Sequence, residues 1–330
     1  MKIIKIKKES KIFLKQKNLI ENLYVIKNIF INKLFYFIIF LFFIFIFFLF
    51  LFNTLLYKNN NLKVCLCTIG KRENKYAREF INHYKKYGID KIFIYDNNDL
   101  GDEKFETVLL DYINNKFVEI INVRGKIAIQ RKVLKDCYIK NKKLYDWFII
   151  LDMDEFIFLN NFGNIKIFLN DKRFQKCNLI HLNRVFHTDN NQIYYKNISL
   201  FKRFPKYITN ITTVKSILRG RLFNISFNNI HTINPNYESC NGFGHIINKS
   251  EKWTDFKYYY FDHFYFKSTE EYTEKVNRGD GRFGINEKLK LSKIRAYFLY
   301  NEITIEKIKL FEQKIGINLN FYKIKLKFKK

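Results

Sequence analysis

The feature that leaves this chain least freedom is a run of nineteen residues, Leu34 to Phe52, that is wholly apolar or aromatic and carries no charge. Wound as an α-helix at about 1.5 Å per residue, it reaches roughly 28 Å, close to the ~30 Å hydrocarbon core of a bilayer. A cleaved signal peptide would show an apolar stretch of about 7–15 residues and a small-residue cleavage site. This run is longer and no such site follows it, so it reads as a signal anchor. Lys2, Lys5, Lys7, Lys8, Lys11, Lys15, Lys17, Lys27 and Lys33 precede it, and only Lys58 and Lys63 follow closely. Lysine excess marks the cytosolic side. The expected layout is a cytosolic segment over 1–33, a transmembrane anchor over 34–57 and a lumenal domain over 58–330, a type II arrangement of the secretory pathway.

The formal net charge of +28 favours polyanions such as nucleic acid, anionic lipid or a nucleotide diphosphate. Yet the chain is rich in Phe, Ile, Lys and Asn, with 2 Pro, 12 Gly and three Ala (Ala77, Ala128, Ala296). That skew follows A/T-rich codons. The lysines are scattered and no nucleic-acid-binding motif accompanies them, so nucleic acid is not an expected partner. Five cysteines (Cys65, Cys67, Cys137, Cys177, Cys240) form no zinc spacing. Their odd number argues against a disulfide framework, although one or two bridges of unspecified pairing fit. Cys65 and Cys67 share one face of a strand and read as core. Asn-x-Ser/Thr sequons at Asn197, Asn210, Asn224 and Asn248 are compatible with a lumenal domain, but so much Asn produces sequons by chance.

Beyond Leu62, apolar strands alternate with helical periodicity. Strands are expected near Lys63–Thr68, Ile92–Tyr95, Phe117–Val123 and Trp147–Leu151. Helices are expected over Arg72–Tyr87 (closed by Gly88), near Glu103–Asn114 and over Ile127–Lys142. This is the pattern of a parallel sheet flanked by helices, and ligands bind such sheets at the strand carboxyl ends. Past residue 178 short alternating strands give way to helices near 268–278 and 286–316 and a basic tail from Tyr322. The domain therefore divides into halves over 62–160 and 178–330.

The polar residues gather at the expected strand ends. Asp96 follows the second strand, and Asp152-Met-Asp154-Glu155 follows the fourth. Two carboxylates one residue apart can turn onto one hard cation, Mn²⁺ or Mg²⁺, leaving positions open for phosphate oxygens. An acidic turn is the plainer alternative.

The segments Glu73, Glu79-Phe-Ile, Tyr95-Asp-Asn97, Gln130-Arg131, Asp136-Cys137 and Trp147 through Phe156 occur in an order that resembles the GT-A glycosyltransferases of family 92 and their family 2 relatives. His263-Phe-Tyr-Phe-Lys267-Ser-Thr-Glu-Glu271, Lys275 and Arg278-Gly279 resemble a C-terminal block of that group. Arg72 departs from the Asn common there. The resemblance implies a GT-A mixed sheet flanked by helices and a nucleoside diphosphate sugar as donor. A glycan hydroxyl would be the acceptor, with inversion at the anomeric carbon. It implies that Asp152 and Asp154 hold the metal, with His231 or His263 as a third ligand, and that Asp96 accepts a hydrogen bond from the nucleobase. Glu73, Gln130 and Arg131 would line the donor site. Each has a bland alternative: an Asx turn for Asp96, an exposed helix face for Gln130 and Arg131, a structural hydrogen bond for each His. Glu155, Glu238 and Asp262 are candidates for the acceptor base, and Glu155 could instead orient the metal ligands. Ser268 to Glu271 matches a capping box, which starts a helix near Thr269. Lys267 and Arg278, flanking that helix beside Gly279, Gly281 and Gly284, would form a flexible basic clamp on the diphosphate. Gly242-Phe-Gly244-His245 reads as a tight turn near acceptor. Two other classes stay open: a glycan-binding module without turnover, and a basic membrane-surface or nucleic-acid-binding protein.

Overall fold

The structure is a computed structural model describing residues 33–50, 62–209, 213–227, 231, 237–247, 254–279, 281 and 286–321. Outside these lie the lysine-rich segment before residue 33, the sequons at Asn210 and Asn248, Gly284 and the basic tail. The chain divides into two compact units, residues 1–61 and 62–330. In the first, helix α1 (Lys33–Phe50) is 18 residues long and exposes its aromatic side chains, among them Phe37 and Phe48. By length and composition it is able to cross a membrane.

The second unit is built on a mixed ten-stranded sheet. Strands β1 (Val64–Gly70), β2 (Lys91–Asp96), β3 (Val118–Asn122) and β4 (Trp147–Ile150) run parallel in the order β3-β2-β1-β4. Both faces of β1, β2 and β4 are buried, which explains their apolar character, whereas the edge strand β3 exposes Glu119 and Asn122. Val64, Leu66, Ile92, Ile94, Trp147 and Ile149 face helices α2 (Asn74–Lys86) and α3 (Glu106–Asn114). The alternate residues Cys65, Cys67, Phe93, Tyr95, Phe148 and Ile150 face α4 (Gln130–Asn141). Gly88, at φ +83°, ends α2 as a left-handed cap.

Two helices begin later than their periodicity suggests. Arg72 and Ala128 both adopt φ +54°, so α2 starts at Asn74 and α4 at Gln130, and the residues before them become loops. Past β4 the chain crosses the sheet. Strand β5 (Glu155–Leu159) pairs antiparallel with β10 (Tyr259–His263) at the far edge. Between β4 and β10 lie β8 (Val214–Arg219) and the long β6 (Leu179–His187), which is flanked by the short β7 (Tyr207–Ile208) and β9 (Ser239–Asn241). Short helices α5 (Ile165–Leu169) and α6 (Leu200–Arg203) lie in connections. Helices α7 (Thr269–Asn277), α8 (Glu287–Tyr300) and α9 (Ile305–Ile315) enclose a separate aromatic core around Tyr272, Tyr297 and Phe311. The expected helix over 286–316 is two helices, because Asn301 is extended and the Thr304 side chain caps a new start.

Four cysteines pair, Cys67 with Cys137 and Cys177 with Cys240, leaving Cys65 buried and free. Cys67 is therefore not plain core: it ties β1 to α4.

Candidate functional site

The carboxyl ends of β1, β2 and β4 open into a cavity of about 490 Å³. Its near wall comes from Gly70 to Glu73 at the end of β1, Asn97 and Asp99 after β2, and the Gly125–Gln130 approach to α4. Gly70 leaves no room for a side chain, since an added Cβ would lie 2.5 Å from both Met153 Sδ and the Phe105 ring. The opposite wall comes from the second half of the domain, with Arg184 on β6, His263 on β10, and Lys275 and Arg278 from α7 and its end.

The Asp152–Asp154 turn forms the floor. Asp152 accepts from Gln130 Nε2 at 2.8 Å and lies 2.9 Å from Lys215 Nζ. The same ammonium lies 2.9 Å from Glu155 Oε2, which also accepts from the Asp152 N–H. Burial alone would raise the Asp152 carboxyl, but Lys215 outweighs it and holds the group below its usual range. Glu155 is fully buried, and burial pushes it up to about 7 against the pull of Lys215. Asp154 receives Lys275 Nζ at 2.7 Å and lies 3.4 Å from His263 Nε2. Burial opposes its ionisation, yet Lys275 and His263 keep it well below the carboxylate range. Burial also drives His263 down to about 3, so its imidazole is neutral with a lone pair to offer. Its other nitrogen lies 3.4 Å from Glu155 Oε1.

Glu73 anchors the third corner. It is buried, with Lys267 Nζ at 2.9 Å and Arg278 Nη2 at 2.5 Å. Burial raises it, and the two cations more than compensate. Lys267 does not line the cavity. It is buried over the Tyr76 ring, 3.7 Å from its centroid, and has a left-handed backbone. The expected capping box is present, with Ser268 and Glu271 bonded reciprocally and α7 beginning at Thr269. Glu271 also binds Arg203 and Tyr76. The flexible clamp is thus corrected to a fixed arrangement: Lys267 holds Glu73, Glu73 holds Arg278, and Arg278 alone faces the cavity.

Several other sequence candidates fall elsewhere. Asp96 is buried behind the wall, paired with Arg124 at 2.8 Å and accepting from Asn98 N–H and Nδ2. It shapes the loop and leaves no oxygen toward a base. Arg131 is exposed on α4, away from the cavity, whereas Gln130 faces it. Glu238 is exposed outside the cavity. Strand alternation turns Asp262 to the opposite face from His263, where it meets His187 Nε2 at 2.7 Å. His231 lines the cavity, and its carbonyl accepts from Ser216 Oγ. Gly244 does form a tight turn, at φ +82°, outside the cavity.

The sequence reading missed Lys215 and Arg184. A signal existed: each is a basic residue inside an apolar strand, and a buried charge is more informative than an exposed apolar side chain.

The family model of glycosyltransferase family 92 matches residues 60–298. A glycosyltransferase family 92 protein of Ricinus communis is 26% identical over 97 residues, which is 29% of this chain and 17% of that protein. One from Oryza sativa subsp. japonica is 26% identical over 94 residues, 28% of this chain and 16% of that protein. The matched stretch is thus under a fifth of either relative's length. Among solved structures, S. aureus TarS shows 12% identity and a TM-score of 0.33, covering 77% of this chain and 48% of that one. A crystal structure of TarS 1-349 in complex with UDP-GlcNAc shows 12% identity and a TM-score of 0.36, covering 77% and 80%.

Proposed function

The chain belongs to glycosyltransferase family 92, and on that premise we propose that it transfers a sugar from a nucleoside diphosphate donor, UDP-linked in our reading, to a glycan hydroxyl. The observation that carries this is the cavity at the ends of β1, β2 and β4, where Asp152 and Asp154 face Lys215, Lys275 and Arg278. Such a floor suits a diphosphate, the group that gains charge as the sugar leaves. A GT-A reading of the mixed sheet goes with it.

The fit of a divalent cation rests on Asp154 and His263. Asp154 Oδ1 and the neutral His263 Nε2 are 3.4 Å apart, a separation two ligands of one ion can span. Glu155 beside the other imidazole nitrogen is the arrangement that orients a metal-binding histidine. No group of three or more His, Cys, Asp or Glu side chains among the described residues is arranged to hold an ion. One or two carboxylates with substrate phosphate oxygens completing the shell is the usual Mg²⁺ pattern, and Asp154 would supply such a carboxylate. Asp152, held by Lys215 and Gln130, would then act mainly as fixed charge. When bound, Mn²⁺ or Mg²⁺ would neutralise the departing diphosphate. Lys275 holds Asp154 in place, and Arg278, fixed by Glu73, presents a guanidinium to the phosphates. Glu155, Glu238 and Asp262 are not among the residues lining the cavity. Among the described residues the carboxylates lining it are Glu73, Asp99, Asp152 and Asp154, and an inverting transfer would draw on these.

Type II topology remains our reading of α1 and its lysine flank. The disulfides support an oxidising, lumenal setting for the domain, and Asn197 and Asn224 are exposed there. The test is release of UDP or GDP by the full chain in detergent, across a panel of nucleotide sugars with Mn²⁺. Release from at least one donor, lost on chelation and in Asp154→Asn, is expected. No release from any donor would sink the transfer reading.

A further inference from the structure

The basic side chains around the cavity are nearly all claimed. Lys71 rests on Asp99, Arg72 on Asp102, Lys275 on Asp154 and Arg278 on Glu73. Lys126 is exposed to water and Lys293 donates to the Gly279 carbonyl. Arg184 differs: it is partly buried, and among the described residues it makes no ion pair with a carboxylate. Its guanidinium lies 4.0 Å from the centroid of the Phe186 ring. Nη1 is 3.5 Å from Nδ1 of the neutral His263, and Nε is buried without a hydrogen-bond partner. A guanidinium does not give up its proton, and a buried charge lacking a partner is costly. Its planar fork of donors matches an oxyanion.

Its place in the sheet narrows the ligand. Arg184 is on β6, two strands beyond β4 and on the side away from β1 to β3. Asn97 follows β2 and Gly125 follows β3, on the other side of β4 in the strand order, so Arg184 and those loops flank the Asp152–Asp154 floor from opposite sides. We propose that Arg184 is the receptor for an oxyanion carried by the cavity's ligand, either the donor diphosphate or an acidic group on one of the sugars. This rests on the nucleotide-sugar reading given above.

The test uses the full chain in detergent, as wild type, Arg184→Gln and Arg184→Lys. Calorimetric titrations take UDP, UDP-glucose, UDP-glucuronate, glucuronate and inorganic pyrophosphate. If the diphosphate is the partner, UDP and pyrophosphate bind about 10- to 100-fold more weakly to Arg184→Gln, as expected for a lost charge-assisted pair. Arg184→Lys should then recover part of that loss. If an acidic sugar is the partner, UDP affinity stays level. A wild-type preference for UDP-glucuronate over UDP-glucose, or measurable binding of glucuronate, disappears in Arg184→Gln. Either result supports the inference and identifies the source. Equal affinities in all three proteins overturn it. So does a parallel loss for every ligand together with a lowered melting temperature, which would mark Arg184 as structural. A wild type that binds no uridine nucleotide defeats the UDP-linked donor reading instead. The inference falls with it only if pyrophosphate and glucuronate also show no dependence on Arg184.

Discussion

Asp152 and Asp154 are one residue apart, yet they belong to different regions of the molecule. Asp152 meets Lys215, a buried residue of β8 whose ammonium it shares with the fully buried Glu155, and accepts from Gln130 of α4. Asp154 looks toward α7 and β10, to Lys275 and His263, and both of those partners line the cavity. The first carboxylate is held by β8 and α4, the second by α7 and β10. A two-residue acidic signature therefore need not be two equivalent ligands.

Exchange of the two aspartates for asparagine should break this comparison most sharply. Asp154→Asn removes a proposed ligand and is expected to lower transfer by about a thousandfold or more, of the order of 4 kcal/mol in the barrier. Asp152→Asn keeps Lys215 paired with Glu155 and should lose about ten- to a hundredfold. Equal losses, measured as kcat/KM with Mn²⁺, would show that the two positions act alike. Lys215→Met comes next, because it strands two buried carboxylates. It should cost about 3–5 kcal/mol of stability in denaturant unfolding, while Lys275→Gln, which keeps a hydrogen-bond donor beside the buried Asp154, should cost less, about 1–3 kcal/mol. A mild Lys215→Met would mean that the inner region is not held by charge.

Reduction of Cys67–Cys137, which ties β1 under the cavity to the helix carrying Gln130, should lower stability by roughly 2–4 kcal/mol. Comparing melting with and without reductant in a Cys177→Ser/Cys240→Ser background isolates that bridge.

The last expectation concerns pH and lies outside both regions. Burial lowers His83 and His181 to about 4 from an ordinary 6.5. Each binds protons more readily unfolded, so their contribution is complete above about pH 6.5 and is lost as pH falls toward 4. A tenfold difference in proton affinity between the folded and unfolded chain is worth about 1.4 kcal/mol. Melting temperature should therefore drop over that window, and drop less in His83→Gln. A flat profile would mean that these rings are hydrated in the folded chain.

Much of the first half was legible because local rules govern it. Parallel strands buried on both faces read as apolar runs, Gly88 ended its helix, and Ser268 with Glu271 capped theirs. Arg72 and Ala128 were not, since nothing in those residue types announces a left-handed backbone. The cavity's far wall was harder still. Lys215 meets Asp152 across 63 positions and Arg184 meets His263 across 79, so only the strand order brings them together. Lys267 was misread for the same reason: beside a glycine-rich loop a lysine looks solvated, and its partner Glu73 is 194 residues away.

Lys267 also carries a second consequence. At φ +54° it occupies a conformation that glycine adopts freely and other residues adopt at a cost of about 1–2 kcal/mol. The fold tolerates a contorted backbone in order to place an ammonium there. Two replacements can separate the contortion from the charge it delivers: Lys267→Met deletes the charge and keeps the contorted backbone, whereas Lys267→Gly deletes both. If the glycine variant is the more stable of the two, the difference measures what this lysine has been made to endure for the sake of Glu73.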